Sequence, residues 1–491
     1  MDIILNITSN SKEIKPGGMF IAIAGSAFDG HNYINQAINA GASYIVAEKY
    51  PEELGITQAK LLSQYADEAP TIATFEVTKA DGGLVVWDVV ANSRLAYAGW
   101  AQQAYPNQPG HMVAVTGTNG KTSTTWFFQQ ILALLGYSSA CIGTIGVISN
   151  ITLDQSLQGP SLTTPDALGL HKMLESLAEN GVEFAAMEAS SHAIHQDRLS
   201  AVLLKAAAFT NFTQDHLDYH GTMEEYLAAK TRLFSHLLPS NGTAVLNKDI
   251  EQFPGLLNIC QSRGVKVLTY GADAADITYQ AGEGNAMTLK IIGQEYRTQF
   301  NVIGDFQKYN LMAAIGLLIA CGIDHADIIQ AIPFLLAPTG RMEWVAMHNG
   351  ANIFVDYAHT PDALQRALEA LRSSTNGKTH LVFGCGGNRD KQKRPLMGKI
   401  AANYADKVVV TDDNPRLEDA SLIREEIMAT CPNAQEVAGR DQAIRIAMNS
   451  LMPGDSLLVA GKGHEEYQII GTQTLPFSDR KHILNYTGEQ A

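Results

Sequence analysis

The sequence predicts an α/β protein of about three domains, with a nucleotide-binding parallel sheet in the middle one. Three observations carry this. The chain has 491 residues, against a usual ~150 residues per domain. From residue 112 onward, short apolar runs of strand length alternate with stretches of helical spacing, the pattern of parallel sheets joined by crossover helices. Between one such strand and one such helix stands Gly117-Thr118-Asn119-Gly120-Lys121-Thr122. There, glycines let the backbone approach phosphate and helical N–H groups receive it.

In chain order, residues 19–23 and 43–47 read as strands of a first segment. The run Pro106-Asn107-Gln108-Pro109-Gly110 cannot sustain a helix, so the first domain is predicted as 1–108. The middle segment has strands at 112–116, 183–188 and 206–209, a helix at 122–135 and an apolar helix at 311–320. Ala337-Pro338-Thr339-Gly340 then marks a second boundary, giving domains 109–337 and 338–491. In the last segment, strands at 352–356, 380–384, 407–411 and 456–460 each run into a polar cluster. The clusters are Asp356-Tyr357-Ala358-His359, Gly386-Gly387-Asn388-Arg389, Asp413-Asn414-Pro415-Arg416 and Gly461-Lys462-Gly463-His464-Glu465. Open α/β sheets bind ligands beyond the carboxyl ends of their strands, so the four are predicted to form one binding edge rather than four unrelated loops.

Composition narrows the function. Asp plus Glu number 50 and Lys plus Arg 35, a formal charge of −15. That excludes a broad basic footprint for nucleic acid, but not anionic small substrates, which local donors hold. Cys141, Cys260, Cys321, Cys385 and Cys431 are scattered without CxxC spacing, which predicts a reduced protein with neither disulfides nor a zinc site. Residues 1–6 lack a basic, apolar leader, and no run reaches the ~18 apolar residues of a membrane span. The expectation is a cytoplasmic enzyme with no membrane insertion.

The phosphate loop is the short form G-x-x-G-K-T, with Val115 where the commoner loop has its first glycine. Lys121 brings charge, and the Thr122 hydroxyl is suited to Mg²⁺. A guanine reader, Asn-Lys-x-Asp, is not met: in Asn247-Lys248-Asp249-Ile250 the acid comes one residue early, which favours ATP. Glu188 ends a buried strand beside the loop and is either a Mg²⁺ ligand or a solvated strand-end acid. His216, next to Asp215 at another strand exit, can ligate a metal, orient a phosphate or be structural. Residues 226–234 read as an amphipathic helix on which Lys230, taken alone, is a solvated surface residue.

Taken in order, these motifs resemble the ATP-dependent Mur ligases of peptidoglycan synthesis. The resemblance runs through Gly117 to Thr122, Met187-Glu188-Ala189-Ser190-Ser191-His192, Asp215-His216-Leu217-Asp218-Tyr219-His220-Gly221 and Gly340-Arg341-Met342-Glu343. It continues in Asp356 to Pro361, Asp413 to Arg416 and Gly461 to Glu465. It implies a UDP-binding N-terminal domain, a central ATP-binding ligase domain and a C-terminal Rossmann-like domain that receives an amino acid. It also implies the reaction. ATP phosphorylates the D-glutamate carboxylate of UDP-N-acetylmuramoyl-L-alanyl-D-glutamate, and an amine of the incoming amino acid attacks the acyl phosphate to give an amide.

The resemblance also implies residue roles. Lys121 and Mg²⁺ offset charge on the β- and γ-phosphates, with Thr122, Glu188 and His216 as metal-binding residues. Lys230 matches a lysine that CO₂ converts to a carbamate, an anion able to join them; Arg341 and Asp356 complete the catalytic set. Gly117, Thr118, Asn119, Gly120, Asn310, Arg341 and His359 match ATP contacts. Ser11, Thr163, Thr164, Ser190, Gln196 and Arg198 match residues holding the muramoyl-dipeptide. Arg389, Asp413, Asn414, Pro415, Arg416, Gly461 and Glu465 match the site for meso-diaminopimelate. The second carboxylate of that amino acid suits an arginine fork, and Glu465 suits its distal ammonium. A monomer is expected, with these three substrates as partners.

The chain departs from the family pattern at Asn10-Ser11-Lys12, at the UDP-loop counterpart Ser26-Ala27-Phe28-Asp29-Gly30, and at Phe306-Gln307-Lys308-Tyr309 before Asn310. A folylpolyglutamate synthetase shares the short loop and the acyl-phosphate chemistry but needs no UDP-binding domain. A nucleotide switch would form no bond. The hundred residues before the loop, and Glu188, His216, Lys230 and Arg416 together, point to the Mur-type reading. Closure of the C-terminal domain onto the middle one is expected, with hinges near 106–110 and 338–340, because amine and acyl phosphate belong to different domains.

Overall fold

The computed structural model describes residues 6–25, 28–65, 70–153 and 163–488. Strand His111–Thr116 is the spine of the middle sheet. Its side chains alternate, Val113 and Val115 into one apolar cluster, Met112 and Ala114 into the other, as the two-residue period of a strand requires. It pairs in parallel with Phe184–Glu188 on one side and Ala206–Phe209 on the other. Helices Lys121–Leu134 and Asp305–Ala320 supply the cover of the Val113 face.

Among the described residues this sheet has ten strands. The seven central ones, from Ile277–Ala281 across to Ser139–Gly143, are parallel. Antiparallel strands extend both edges: Gly146–Ser149 on one, Ala286–Ile291 and Gln294–Gln299 on the other. The parallel expectation therefore describes the centre and not the edges. Antiparallel neighbours need only a tight turn, whereas parallel ones need a crossover.

The other two main sheets have six described strands each. The first joins the parallel strands Ile7–Thr8, Met19–Ile21, Tyr44–Ala47 and Leu84–Val90 to an antiparallel pair, Thr71–Thr78 and Ala59–Gln64. The last runs Glu343–His348, Ala351–Asp356, Ser456–Ala460, Thr379–Phe383, Lys407–Val410, Gln435–Glu436, antiparallel only at its first pair. Its four central strands are those whose ends carry the polar clusters. They are neighbours and parallel, so all four clusters emerge at one edge.

That edge faces the phosphate loop. Arg341 Nη2 donates to Thr122 Oγ1 at 3.2 Å, and Asn119 Nδ2 donates to Asp362 Oδ2 at 3.2 Å. The last sheet is thus docked against the middle one. All five cysteines are free and buried. Among the described residues no helix is long and apolar enough to cross a membrane.

Candidate active site

The phosphate loop leaves strand His111–Thr116 and enters helix Lys121–Leu134, with Gly120 as the helix cap. Gly120 has φ +87°, and a Cβ there would stand 2.2 Å from Asn310 Oδ1. Asn310 therefore packs against the loop itself, held by its Nδ2 donating to Gln307 Oε1 at 2.9 Å. Thr118, Asn119, Gly120, Lys121 and Thr122 all line one cavity of about 440 Å³, within the size range of small-ligand sites.

Two lysines point at the same carbonyl. Lys121 Nζ donates to Gly117 O at 2.9 Å and to Thr118 O at 2.7 Å; Lys230 Nζ donates to Gly117 O at 2.7 Å. Lys230 is 1% exposed, so the surface reading of its helix fails. The helix Met223–Arg232 passes into a π-turn, Leu233–Leu237, and packs against the site. Burial, then the Lys121 charge, holds the Lys230 amine well below the ordinary lysine range, which favours its neutral form. The neutral amine is the form that can take up CO₂.

Glu188 is also fully buried. Its Oε1 accepts from Thr122 Oγ1 at 2.9 Å and Thr144 N at 2.8 Å, and its Oε2 accepts from Thr144 Oγ1 at 3.1 Å. Burial pushes His216 down to about 4, leaving a neutral imidazole. Glu188, His216, Lys230 and Thr122 line the same cavity. Among the described residues, however, no three His, Cys, Asp or Glu side chains converge as a metal cluster. The donor chemistry fits Mg²⁺, an oxygen-seeking ion, with Lys230 supplying an oxygen anion only after carbamylation.

Arg341 and Asp356 join the loop to the last sheet. Asp356 accepts from Met342 N at 2.6 Å and Ala358 N at 2.7 Å. It thereby clamps the turn that aims Arg341 at Thr122, and the Arg341 guanidinium lies over the Tyr357 ring at 4.4 Å. His359, pushed down to about 4 by burial, has Nδ1 2.9 Å from Tyr357 O.

The predicted dipeptide residues form a connected network. Thr164 Oγ1 donates to Glu188 O at 2.8 Å and lies 3.3 Å from Ser190 Oγ. Thr163 Oγ1 lies 3.2 Å from Thr144 Oγ1. Arg198 donates to Thr164 O at 2.7 Å and to Gln196 Oε1 at 2.7 Å. Of these, Thr163 and Ser190 line the cavity; Thr164, Gln196 and Arg198 do not. Ser11 is not hydrogen-bonded into this network; its hydroxyl donates to Gln36 Oε1 at 3.2 Å. Ser26 and Ala27 of the expected UDP loop lie outside the described residues.

A second cavity, of about 430 Å³, opens on the four polar clusters. Arg389, Asp413, Asn414, Arg416, Gly461 and Glu465 all line it; Pro415 does not, and its carbonyl instead closes on Gly387. Asn414 Nδ2 donates to Glu465 Oε2 at 2.9 Å, and Arg416 Nη1 donates to Gly387 O at 2.9 Å. Asp215, His216, Tyr357 and His359 line both cavities and so form their common wall. Lys393, which the sequence reading missed, also lines the second cavity and donates to His359 O at 2.9 Å. Its spacing on an ordinary helix carries no signal that could have found it.

The chain matches the Mur ligase middle domain over residues 115–318, the Mur ligase glutamate ligase domain over 340–463, and the Mur ligase family catalytic domain over 4–73. A protein of Rhizobium meliloti (strain 1021), named UDP-N-acetylmuramoyl-L-alanyl-D-glutamate–2,6-diaminopimelate ligase, is 43% identical over 488 residues, spanning 98% of this chain and 94% of its own. The chain belongs to the Mur ligase family. A second Mur ligase of the same name, from Bradyrhizobium diazoefficiens, is 41% identical over 492 residues, again spanning 98% of this chain and 94% of its own. A solved Mur ligase structure titled with that name is 29% identical, with a TM-score of 0.67, and covers 99% of this chain and 96% of its own. Like the family, this Mur ligase is an ATP-dependent, amide-forming enzyme.

Proposed function

We propose that this Mur ligase joins meso-2,6-diaminopimelate to UDP-N-acetylmuramoyl-L-alanyl-D-glutamate through an acyl phosphate, as a monomer in the cytoplasm. The observation that carries the reading is the shared wall. A phosphate-loop cavity and an amino-acid cavity with two arginines meet at Asp215, His216, Tyr357 and His359, so an acyl phosphate made in one is within reach of an amine held in the other. Domains 1–108, 109–337 and 338–491 would each carry one of the three main sheets.

ATP enters the first cavity with its phosphates on the loop amides, and Lys121 turns from Gly117 O toward the β- and γ-phosphates. Phosphoryl transfer of this kind is governed by positioning and charge. Thr122, Glu188, His216 and the Lys230 carbamate would hold Mg²⁺, which supplies further charge neutralisation on the transferring phosphate. Arg341, clamped by Asp356, reaches the loop from the other sheet and adds a cation only when the sheets are docked. Asn310 and His359 close on the nucleotide. Thr163 and Ser190 meet the dipeptide, with Thr164, Gln196 and Arg198 as their support, and Ser11 serves the uridine end.

Arg389 and Arg416 bind the carboxylates of diaminopimelate, while Asp413, Asn414, Gly461 and Glu465 receive its distal amino group. Docked sheets exclude water, which would otherwise hydrolyse the acyl phosphate. The test is phosphate release from ATP with UDP-N-acetylmuramoyl-L-alanyl-D-glutamate, in parallel with meso-diaminopimelate, L-lysine or no amino acid. Release with diaminopimelate alone, with the tripeptide product seen by mass, is expected. Equal release in all three tubes defeats the reading.

A further inference from the structure

Lys462 is wholly buried, yet it sits in the loop between two residues of the amino-acid cavity, Gly461 and Glu465, and does not itself line that cavity. The glycines on either side adopt positive φ, +114° at Gly461 and +55° at Gly463. A Cβ at Gly461 would stand 2.8 Å from Asp413 Oδ2, and one at Gly463 would stand 2.8 Å from Gly340 O. This tight turn carries the lysine inward, beneath the cavity floor.

The ammonium has three neighbours there. Nζ donates to Glu465 Oε2 at 2.9 Å and to Asn414 Oδ1 at 3.2 Å, and lies 5.6 Å from the centre of the Tyr467 ring. Asn414 closes the triangle, its Nδ2 donating to the same Glu465 Oε2 at 2.9 Å. Asn414 Oδ1 also accepts from Ile469 N at 2.9 Å, which ties the triangle to the hairpin behind it. Among the described residues, every side-chain hydrogen bond of Glu465 falls on Oε2. Its Oε1 is left for the cavity.

We infer that Lys462 is a positioning residue for the incoming amino acid: from behind the cavity its ammonium fixes Asn414 and the Glu465 carboxylate and aims Glu465 Oε1 at the substrate's distal amino group. Lys462 spends its charge on Oε2 and fixes the rotation of the carboxylate, which leaves Oε1 turned to meet a substrate ammonium. The inference rests on the proposed amino-acid site and adds to it a residue that touches no substrate.

The test uses the full-length enzyme, with steady-state constants for each substrate, after the wild type has been shown to turn over diaminopimelate; if it does not, the proposed function itself has failed. Lys462→Met is expected to raise the KM for diaminopimelate about tenfold or more, leaving kcat and the KM values for ATP and the UDP-dipeptide within about twofold. Lys462→Arg, which keeps the charge, restores most of the loss. Should Lys462→Met not fold, the same change is made in Glu465→Gln, where no unpaired carboxylate remains. Because Lys462 acts through Glu465, the double variant is expected to match Glu465→Gln in its KM for diaminopimelate. The inference is overturned if Lys462→Met lowers kcat alone or raises all three KM values equally. It is also overturned if the double variant is worse than Glu465→Gln by as much as Lys462→Met is worse than wild type.

Discussion

Lys121 and Lys230 donate to one carbonyl oxygen, Gly117 O, at 2.9 and 2.7 Å, from positions more than a hundred residues apart in the chain. A second cation so close disfavours charge on the Lys230 amine, which is itself buried. The estimate of direction is the same for both: each is held below the ordinary lysine range, first by burial. Lys230 also feels the Lys121 charge, which lowers it further. The pair therefore has one lysine suited to phosphate and one suited to reaction with CO₂.

The proposed carbamate on Lys230 gives the first prediction. Lys230→Arg places a permanent cation there and cannot be carbamylated, so amide formation is expected to fall about a hundredfold or more, the scale of losing a group that stabilises transferring charge. Wild-type enzyme held in CO₂-free buffer is expected to lose activity and to regain it with bicarbonate. Full activity in Lys230→Arg would end the assignment.

Gly120 tests the phosphate loop. In Gly120→Ala the new methyl meets Asn310 Oδ1, and the left-handed backbone costs about 1–2 kcal/mol for a residue with a Cβ. The expected result is a modest drop in thermal stability and loss of the stabilisation that ATP confers on the wild type. If ATP still raised the melting temperature of the variant as much as that of the wild type, the loop would not be the nucleotide site.

Arg416 is expected to select diaminopimelate. Its backbone lies at φ +53° and its Nη1 is anchored on Gly387 O, which presents the rest of the guanidinium to the cavity. Arg416→Lys replaces a planar fork by a point charge. The KM for diaminopimelate is expected to rise about ten- to a hundredfold, with little change in whatever turnover L-lysine, which has no second carboxylate, supports at high concentration. Parallel losses for both amino acids would contradict a carboxylate-reading role.

Acid stability follows from histidines that are buried or half-buried. His171, His192, His216, His220, His359 and His464 are each pushed down to about 4, burial being the first cause in every case. Between the ordinary 6.5 and 4, the unfolded chain binds protons at these sites that the folded chain does not. Stability therefore rises with pH across that window and is lost as pH falls through it. Melting temperatures of the ligand-free protein should be nearly level above about pH 7 and fall steeply below about pH 6.5. A flat profile down to pH 5 would contradict the burial of these rings.

Much of this protein is legible in its sequence, where the chemistry is carried by contiguous residues. A strand, a glycine turn and a helix suffice to make a phosphate loop, so 117–122 could be read from spacing alone. The four polar clusters could be placed because each follows a continuous apolar run of strand length, the mark of a parallel strand buried on both faces. The resemblance then supplied roles for residues that local physics leaves mute.

Tertiary structure alone decided the rest. Lys230 sits on a helix whose local pattern places it in water, and it is buried because that helix packs onto Gly117. The antiparallel edge strands escaped the pattern because pairing direction depends on connections and not on composition. Lys462 and Lys393 gave no signal, since a lysine between glycines or on a helix reads as solvated until the walls around it are assembled. The shared wall of Asp215, His216, Tyr357 and His359 exists only through the docking of two sheets. Sequence determines which groups a segment can offer; burial and juxtaposition, which set charge state and reach, are properties of the packed whole.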